Sequence, residues 1–358
     1  MKTCQGCGIE LQKDNPDFPG YVPEKVFEKA NTCMRCYRLT HYRDLQPSPL
    51  GVEVYEKAVA EAIEKADTVF QVLDIIDFES SLHPEIERLV RRKRTIGVLT
   101  KIDLLPQITS EQEAIEWAKK RLRHTDEIVA VSGKKGWRIE ELSNLRGEVT
   151  AVVGTTNCGK STLIKRLIEG AEPTVSPAAG TTLNNLTFTD IKGTILDTPG
   201  LWPKGRLLEL LCSECAASLV PDKKIVSKLL EVKQGQGISL GGLFYLKLRS
   251  ERPLVAIVFA PETVEIAKVS DERLENHWQS LLEQKKRPPC VKCQGNLQFE
   301  KREMRVGQED LVIPGLGWIS FRHTPASIEV IAPRDLQLPK RTPLVGPKDR
   351  DKHKNISR

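Results

Sequence analysis

The chain of 358 residues has no long apolar run. Its longest, LVAIVFA at Leu254–Ala260, falls well short of the roughly 20 residues that a helix needs to cross a bilayer. A helical membrane protein is thereby excluded, and the run reads as one buried strand. The opening MKTCQGCG has neither the apolar core of a signal peptide nor the Arg/Ser-rich amphipathic lead of a transit peptide. A cytoplasmic protein without a membrane partner is the expectation. A large excess of charge of one sign is also lacking. With 54 Lys and Arg against 48 Asp and Glu, the net charge is +6, which permits a polyanionic partner without demanding one. At 39% hydrophobic and 28% charged, the composition is that of an ordinary folded protein, and the length predicts two or three domains.

Cysteine is not scarce. Eight of the nine fall in four C-x2-C pairs, a spacing that suits metal chelation in a reducing compartment better than a disulfide framework. The pairs Cys4/Cys7 and Cys33/Cys36 give C-x2-C-x25-C-x2-C. Four thiolates on two tight turns fill a tetrahedral zinc shell with no open position, which makes the site structural. Free thiols in an unstructured head are the bland alternative. For the other two pairs, Cys212/Cys215 in CSEC and Cys290/Cys293 in CVKC, two readings stay open: a second zinc site, or four unmetalled thiols.

Beyond the turn-rich LQPSPLG, strands and helices alternate. A helix leads into a strand at Thr68–Ile76, a strand at Thr95–Leu99 follows, and Ser110 starts a helix with acids in its first turn. EIVAVSGKKG, EVTAVVG and GTILDTPG add three strands. This alternation predicts an α/β, doubly wound, mainly parallel sheet with its ligand site at the carboxyl ends of the strands. The expected division is a zinc module at 1–50, the α/β domain at 51–206, a β-rich domain at 207–338, and a basic, disordered tail at 339–358.

The motifs sit at those strand ends. GTTNCGKS, Gly154–Ser161, matches G-x4-G-K-S between a strand and a helix, the context of a phosphate-binding loop. Gly154 and Gly159 let the backbone turn tightly, so that N–H groups from Asn157, Cys158 and Gly159 through Ser161 and Thr162 face phosphate oxygens. Lys160 is expected to bridge the β- and γ-phosphates. Ser161 offers a hydroxyl to Mg²⁺, with Asp197 of DTPG holding the ion from the other side. Thr100, Lys101 and Asp103 belong to TKID, similar to the N/T-K-x-D element of GTPases. The Asp103 carboxylate can accept two hydrogen bonds from guanine, a pair that adenine does not offer. Ser132, Gly133 and Lys134 resemble the S-A-K element, whose backbone N–H meets the guanine oxygen. Thr181 or Thr182 of GTT completes Mg²⁺ coordination, and the Gly200 N–H meets the γ-phosphate. Where many GTPases have a water-orienting glutamine after Gly200, this chain has Leu201. Slow intrinsic turnover is the expectation.

In the order TKID, SGK, GTTNCGKS, GTT, DTPG, behind a four-cysteine module, the chain resembles the circularly permuted GTPases, and among them the YqeH type. CMRCYRLTHY, LDIIDFESS, GLGWISF and IAPRDL carry the resemblance across nearly the whole length. It implies a GTP- and GDP-binding monomer that assists assembly of the small ribosomal subunit, with RNA or a ribosomal protein as partner. It also implies that Asn157, beside the phosphate loop, holds a potassium ion in a catalytic role with Lys160, Ser161, Asp197 and Gly200. The permutation sends the segment after DTPG into the C-terminal region, so the nucleotide-sensing loop is tethered to another domain. Two rivals share some of these features. A P-loop ATPase or kinase has no need of Asp103 and Ser132, and a zinc-bearing RNA binder with a weak nucleotide site has no need of Lys160, Ser161 and Asp197.

Overall fold

The computed structural model describes residues 2–4, 10–14, 20–34, 52–106, 108–168, 173–175, 186–272, 289–322 and 325–345. Its first sheet contains β1 (Thr68–Asp74), β2 (Arg94–Thr100), β3 (Glu127–Ala130), β4 (Val149–Gly154), β5 (Pro173–Val175), β6 (Leu186–Asp190) and β7 (Gly193–Asp197). Their order across the sheet is β3-β2-β1-β4-β7-β6-β5, and every pairing is parallel except β7 with β6 and β6 with β5. All seven residues of β1 are buried, because helices cover both faces. Phe70 and Val72 pack with Val152 and the helix Lys160–Leu167, whereas Val69 packs with Ala151, Val153 and the helix Val52–Lys65. Burial on both sides explains why these strands read as apolar runs and not as alternation.

Two boundaries have local causes. The first strand stops at Asp74, before the expected Ile76, because the Asp74 carboxylate accepts the Ile76 N–H at 3.0 Å and turns the chain. Ser110 caps the helix Glu111–Lys119 as a capping box: its hydroxyl accepts the Glu113 N–H at 3.2 Å, and the Glu113 carboxylate accepts the Ser110 N–H at 2.7 Å.

The C-terminal half is antiparallel. It comprises β8 (Val226–Val232), β9 (Gln236–Leu240), β10 (Phe244–Leu248), β11 (Leu254–Ala260), β12 (Ile266–Ser270), β13 (Phe299–Val306), β14 (Asp310–Ile313), β15 (Gly317–Phe321), β16 (Ala326–Pro333) and β17 (Lys340–Arg341). These form two five-stranded sheets, β12-β9-β10-β16-β13 and β17-β14-β15-β11-β8. The second sheet has two working faces. Leu254, Ala256 and Val258 of β11, with Ile319 and Phe321 of β15, join the core shared with the other sheet. Their alternates Phe259, Val312 and Trp318 point the other way, into a core shared with Leu73, Phe78, Ile115 and Trp117 of the α/β half. The period-2 pleat thus makes one sheet the common wall of two cores.

The stretch from 339 that composition assigns to a tail is folded as far as 345. Arg341 is buried against Asp310 and Glu79, its guanidinium lies about 5 Å over the rings of both Trp117 and Trp318, and Leu344 and Val345 are buried. Two carboxylates, of which Asp310 is fully buried, and two indoles account for an arginine that reads as solvated in the sequence. Near the start of the chain, Cys4, Leu11, Val22 and Cys33 form a small core in which the Cys33 N–H donates to Cys4 Sγ at 3.1 Å. Cys7 and Cys36 lie outside the described residues.

Candidate nucleotide site

Four sequence motifs converge at the carboxyl ends of β2, β3, β4 and β7. Gly154 closes β4 where no side chain fits: a Cβ there would lie 2.6 Å from the Val72 carbonyl and 2.7 Å from Cys158 Sγ. Asn157 and Gly159 have φ of 62° and 104°, the left-handed backbone that rolls the loop into the helix Lys160–Leu167. The Cys158 side chain is buried in the core, which leaves its backbone as the part that can face a ligand. Lys160 is folded back, with Nζ 3.1 Å and 2.9 Å from the carbonyls of Gly154 and Thr155. Ser161 and Thr162 are exposed on the first turn of that helix.

The TKID and SGK loops are fastened to the phosphate loop from the side. Thr100, at the end of β2, is 3% exposed, and its hydroxyl is within hydrogen-bonding reach of the Leu73 and Cys158 carbonyls. That makes it a positioning residue between the two motifs. Lys101 takes the left-handed conformation and pairs with Asp74. Asp103 sits half-buried in the short 3-10 turn Ile102–Leu104 and has no hydrogen-bond or ion-pair partner among the described residues. In SGK, the Ser132 hydroxyl is buried and accepts the Lys135 N–H at 3.0 Å, shaping the turn. Arg166, on the phosphate-loop helix, donates to the Gly133 carbonyl at 3.0 Å. A Cβ on Gly133 would come within 3.0 Å of Thr162, while Lys134 Nζ reaches out to the Asp222 carbonyl at 2.9 Å.

Asp197 ends β7 beside Lys160. Loss of water around it pushes its carboxyl up to about 6, against the pull of the Lys160 ammonium. Its carboxylate and the exposed Ser161 hydroxyl are hard oxygen donors, a set that fits Mg²⁺. Gly200 is wedged against the phosphate loop: a Cβ there would lie 3.0 Å from Lys160 Nζ and from the Thr156 backbone. The next residue is locked differently. Leu201 is buried, its N–H donates to the Gly154 carbonyl at 3.2 Å, and its carbonyl accepts from Thr156 at 2.9 Å. It is a strut of the loop and cannot orient water. Thr181 and Thr182 lie outside the described residues.

One participant escaped the motif reading. Arg206, only 5% exposed, pairs with Asp77 at 2.9 Å and donates to the Thr156 carbonyl at 3.2 Å. Asp77 also accepts the Gly315 N–H at 3.0 Å, so one carboxylate joins the post-DTPG segment to the β14–β15 turn. Arg206 in LWPKGR and Asp77 in LDIIDF were visible singly, but nothing in their spacing pairs them.

The region 149–237, from the phosphate loop onward, matches the family model described as "50S ribosome-binding GTPase", and 50–146 matches one described as "Ethanolamine utilisation - propanediol utilisation". The protein "Uncharacterized protein YqeH" of Bacillus subtilis is 26% identical over 96% of this chain and 99% of its own length. The chain is thus similar to YqeH over nearly its whole length and to a GTPase family over 149–237, and its GTPase motifs stand in circularly permuted order. "NO-associated protein 1, chloroplastic/mitochondrial" of Arabidopsis thaliana is 25% identical over 90% of this chain and 70% of its own length. Among solved structures, GNP-bound YlqF from T. maritima aligns with 42% of this chain and 60% of that chain, at 24% identity and a TM-score of 0.31. The GTPase domain hydrolyses GTP to GDP and phosphate, with the guanine nucleotide as its substrate. Among the described residues, no helix is long and apolar enough to cross a membrane.

Proposed function

We propose that this GTPase is a nucleotide-gated switch that docks on ribosomal RNA or protein and assists assembly of the small ribosomal subunit in the cytoplasm. In this reading Asp103 and the Ser132–Lys134 loop select guanine, Lys160 neutralises the β- and γ-phosphates, and Ser161 with Asp197 holds Mg²⁺, which when bound draws charge from the transferring phosphoryl group. The observation that carries the reading is the path taken after Gly200. Within six residues the chain reaches Arg206, which touches the phosphate loop through Thr156 and the C-terminal half through Asp77 and Gly315. A γ-phosphate that draws on the Gly200 N–H therefore shifts a segment whose other end is packed on the β-rich half. The net charge of +6 and the similarity of 149–237 to a ribosome-binding GTPase family support a ribosomal partner.

The test is co-sedimentation of the full chain with purified small and large subunits, loaded with GDP or with a non-hydrolysable GTP analogue. Small-subunit affinity should be tighter with the analogue, and Lys160→Ala should erase that difference, because a ligand shifts docking only through its differential affinity for the two states. Equal affinity in both states would leave the GTPase and remove the switch. Preference for the large subunit would reassign the partner.

A further inference from the structure

The second set of cysteines takes no part in nucleotide chemistry, and the fold brings all four together. Cys212 and Cys215 flank the start of the helix Ser213–Leu219, and Cys290 and Cys293 the start of the helix Val291–Asn296. The two turns are near copies. Cys212 has φ −66° and ψ 159°, Cys290 has φ −69° and ψ 167°, and each is the residue before its helix. The chain separates them by 78 residues.

The four sulfurs lie within 4.8 Å of one another, and Cys212 Sγ is 3.7 Å from Cys290 Sγ. A tetrahedral zinc ion with Zn–S bonds of about 2.3 Å places its sulfurs about 3.8 Å apart, whereas a disulfide needs about 2.05 Å. The backbone contacts are reciprocal: the Cys212 N–H donates to Cys293 Sγ at 3.1 Å and the Cys290 N–H to Cys215 Sγ at 3.2 Å. Such outer donors orient thiolates around a metal. The first module has the same contact, from Cys33 N–H to Cys4 Sγ. Cys215 and Cys293 are buried in the core between the two sheets, while Cys212 and Cys290 are half-buried, which leaves an entry path from solvent. No histidine or carboxylate belongs to the group, and an all-sulfur donor set selects zinc over magnesium or calcium.

We propose that Cys212, Cys215, Cys290 and Cys293 form a second, structural zinc site that clips the segment leaving the nucleotide switch to the β-rich half. Four protein ligands leave no position for a substrate. The site stands independently of which ribosomal subunit, if any, the protein binds.

Zinc per chain, measured by elemental mass spectrometry on the full chain purified under reducing conditions, is the direct test. Two ions are expected, falling to one in Cys290→Ser/Cys293→Ser and to one in Cys4→Ser/Cys7→Ser, with the remaining ion of the latter held by the second set. If the Cys290/Cys293 variant fails to fold, the Cys4/Cys7 variant still decides: one retained zinc supports the site, and none overturns it. Replacing zinc by cobalt in the Cys4/Cys7 variant should give the visible bands of an S₄ site, and Cys212→His should shift them toward S₃N. Unchanged zinc content in Cys290→Ser/Cys293→Ser, or a Cys212–Cys290 disulfide that persists in the native protein under those reducing conditions, would refute the proposal.

Discussion

A carboxylate that reads a base must be free of protein partners until the base arrives, and Asp103 is, among the described residues. Asp103→Asn replaces an acceptor pair by one donor and one acceptor. It should weaken guanine nucleotides by about 2 to 4 kcal/mol and turn preference toward xanthine nucleotides, as read by competition titration. Unchanged GTP affinity would remove the base-reading role. Asn157 is an exposed residue of the phosphate loop, held at φ 62°. If its amide helps to hold a potassium ion, replacing Na⁺ by K⁺ should raise GTP turnover several-fold. Asn157→Ala should abolish the rise and leave nucleotide binding nearly intact. Equal rates in the two salts would rule the ion out. Leu201 sharpens the question, because its burial and its two backbone bonds to the phosphate loop deny that position any role in placing water.

At the scale of elements, the short helix Leu207–Leu210 after Arg206 carries the clearest electrostatic cost. Burial pushes the Glu209 carboxyl up from its ordinary 4.5 to about 7, with Arg206 opposing and Asp77 adding to the shift. A carboxyl raised on folding binds its proton more tightly in the native state. Its contribution is therefore fully present below about pH 4.5 and is lost as the pH rises through about 7. Glu209→Gln should flatten the fall in Tm between pH 5 and pH 8 in thermal denaturation, and an unchanged pH profile would show that Glu209 does not titrate in that window. The elements were legible where one local rule decides them. Ser110 with acids in the next turn announces a helix start, and the phosphate loop is a contiguous motif. The tail boundary was not legible, because Arg341 looks solvated until Glu79 and Asp310, 262 and 31 residues away, are brought beside it.

On the scale of the whole molecule, the order of motifs already contained the permutation, and the C-x2-C spacing contained both sets of thiols. What the sequence could not display was the pairing of faces. Nothing local says that Phe259 and Trp318 turn from their own sandwich toward Trp117, or that Asp77 waits for Arg206. Such contacts arise from three-dimensional closure between segments far apart in the chain. The common wall also has a consequence in time. Synthesis runs from β1 to β7 first, so the α/β sheet is complete at Asp197, yet one side of it, over Leu73, Phe78 and Ile115, is roofed only by residues between 225 and 345. The nascent GTPase must therefore wait, with that apolar side uncovered, while more than a hundred further residues are translated. Over that interval it is open to chaperones and to aggregation.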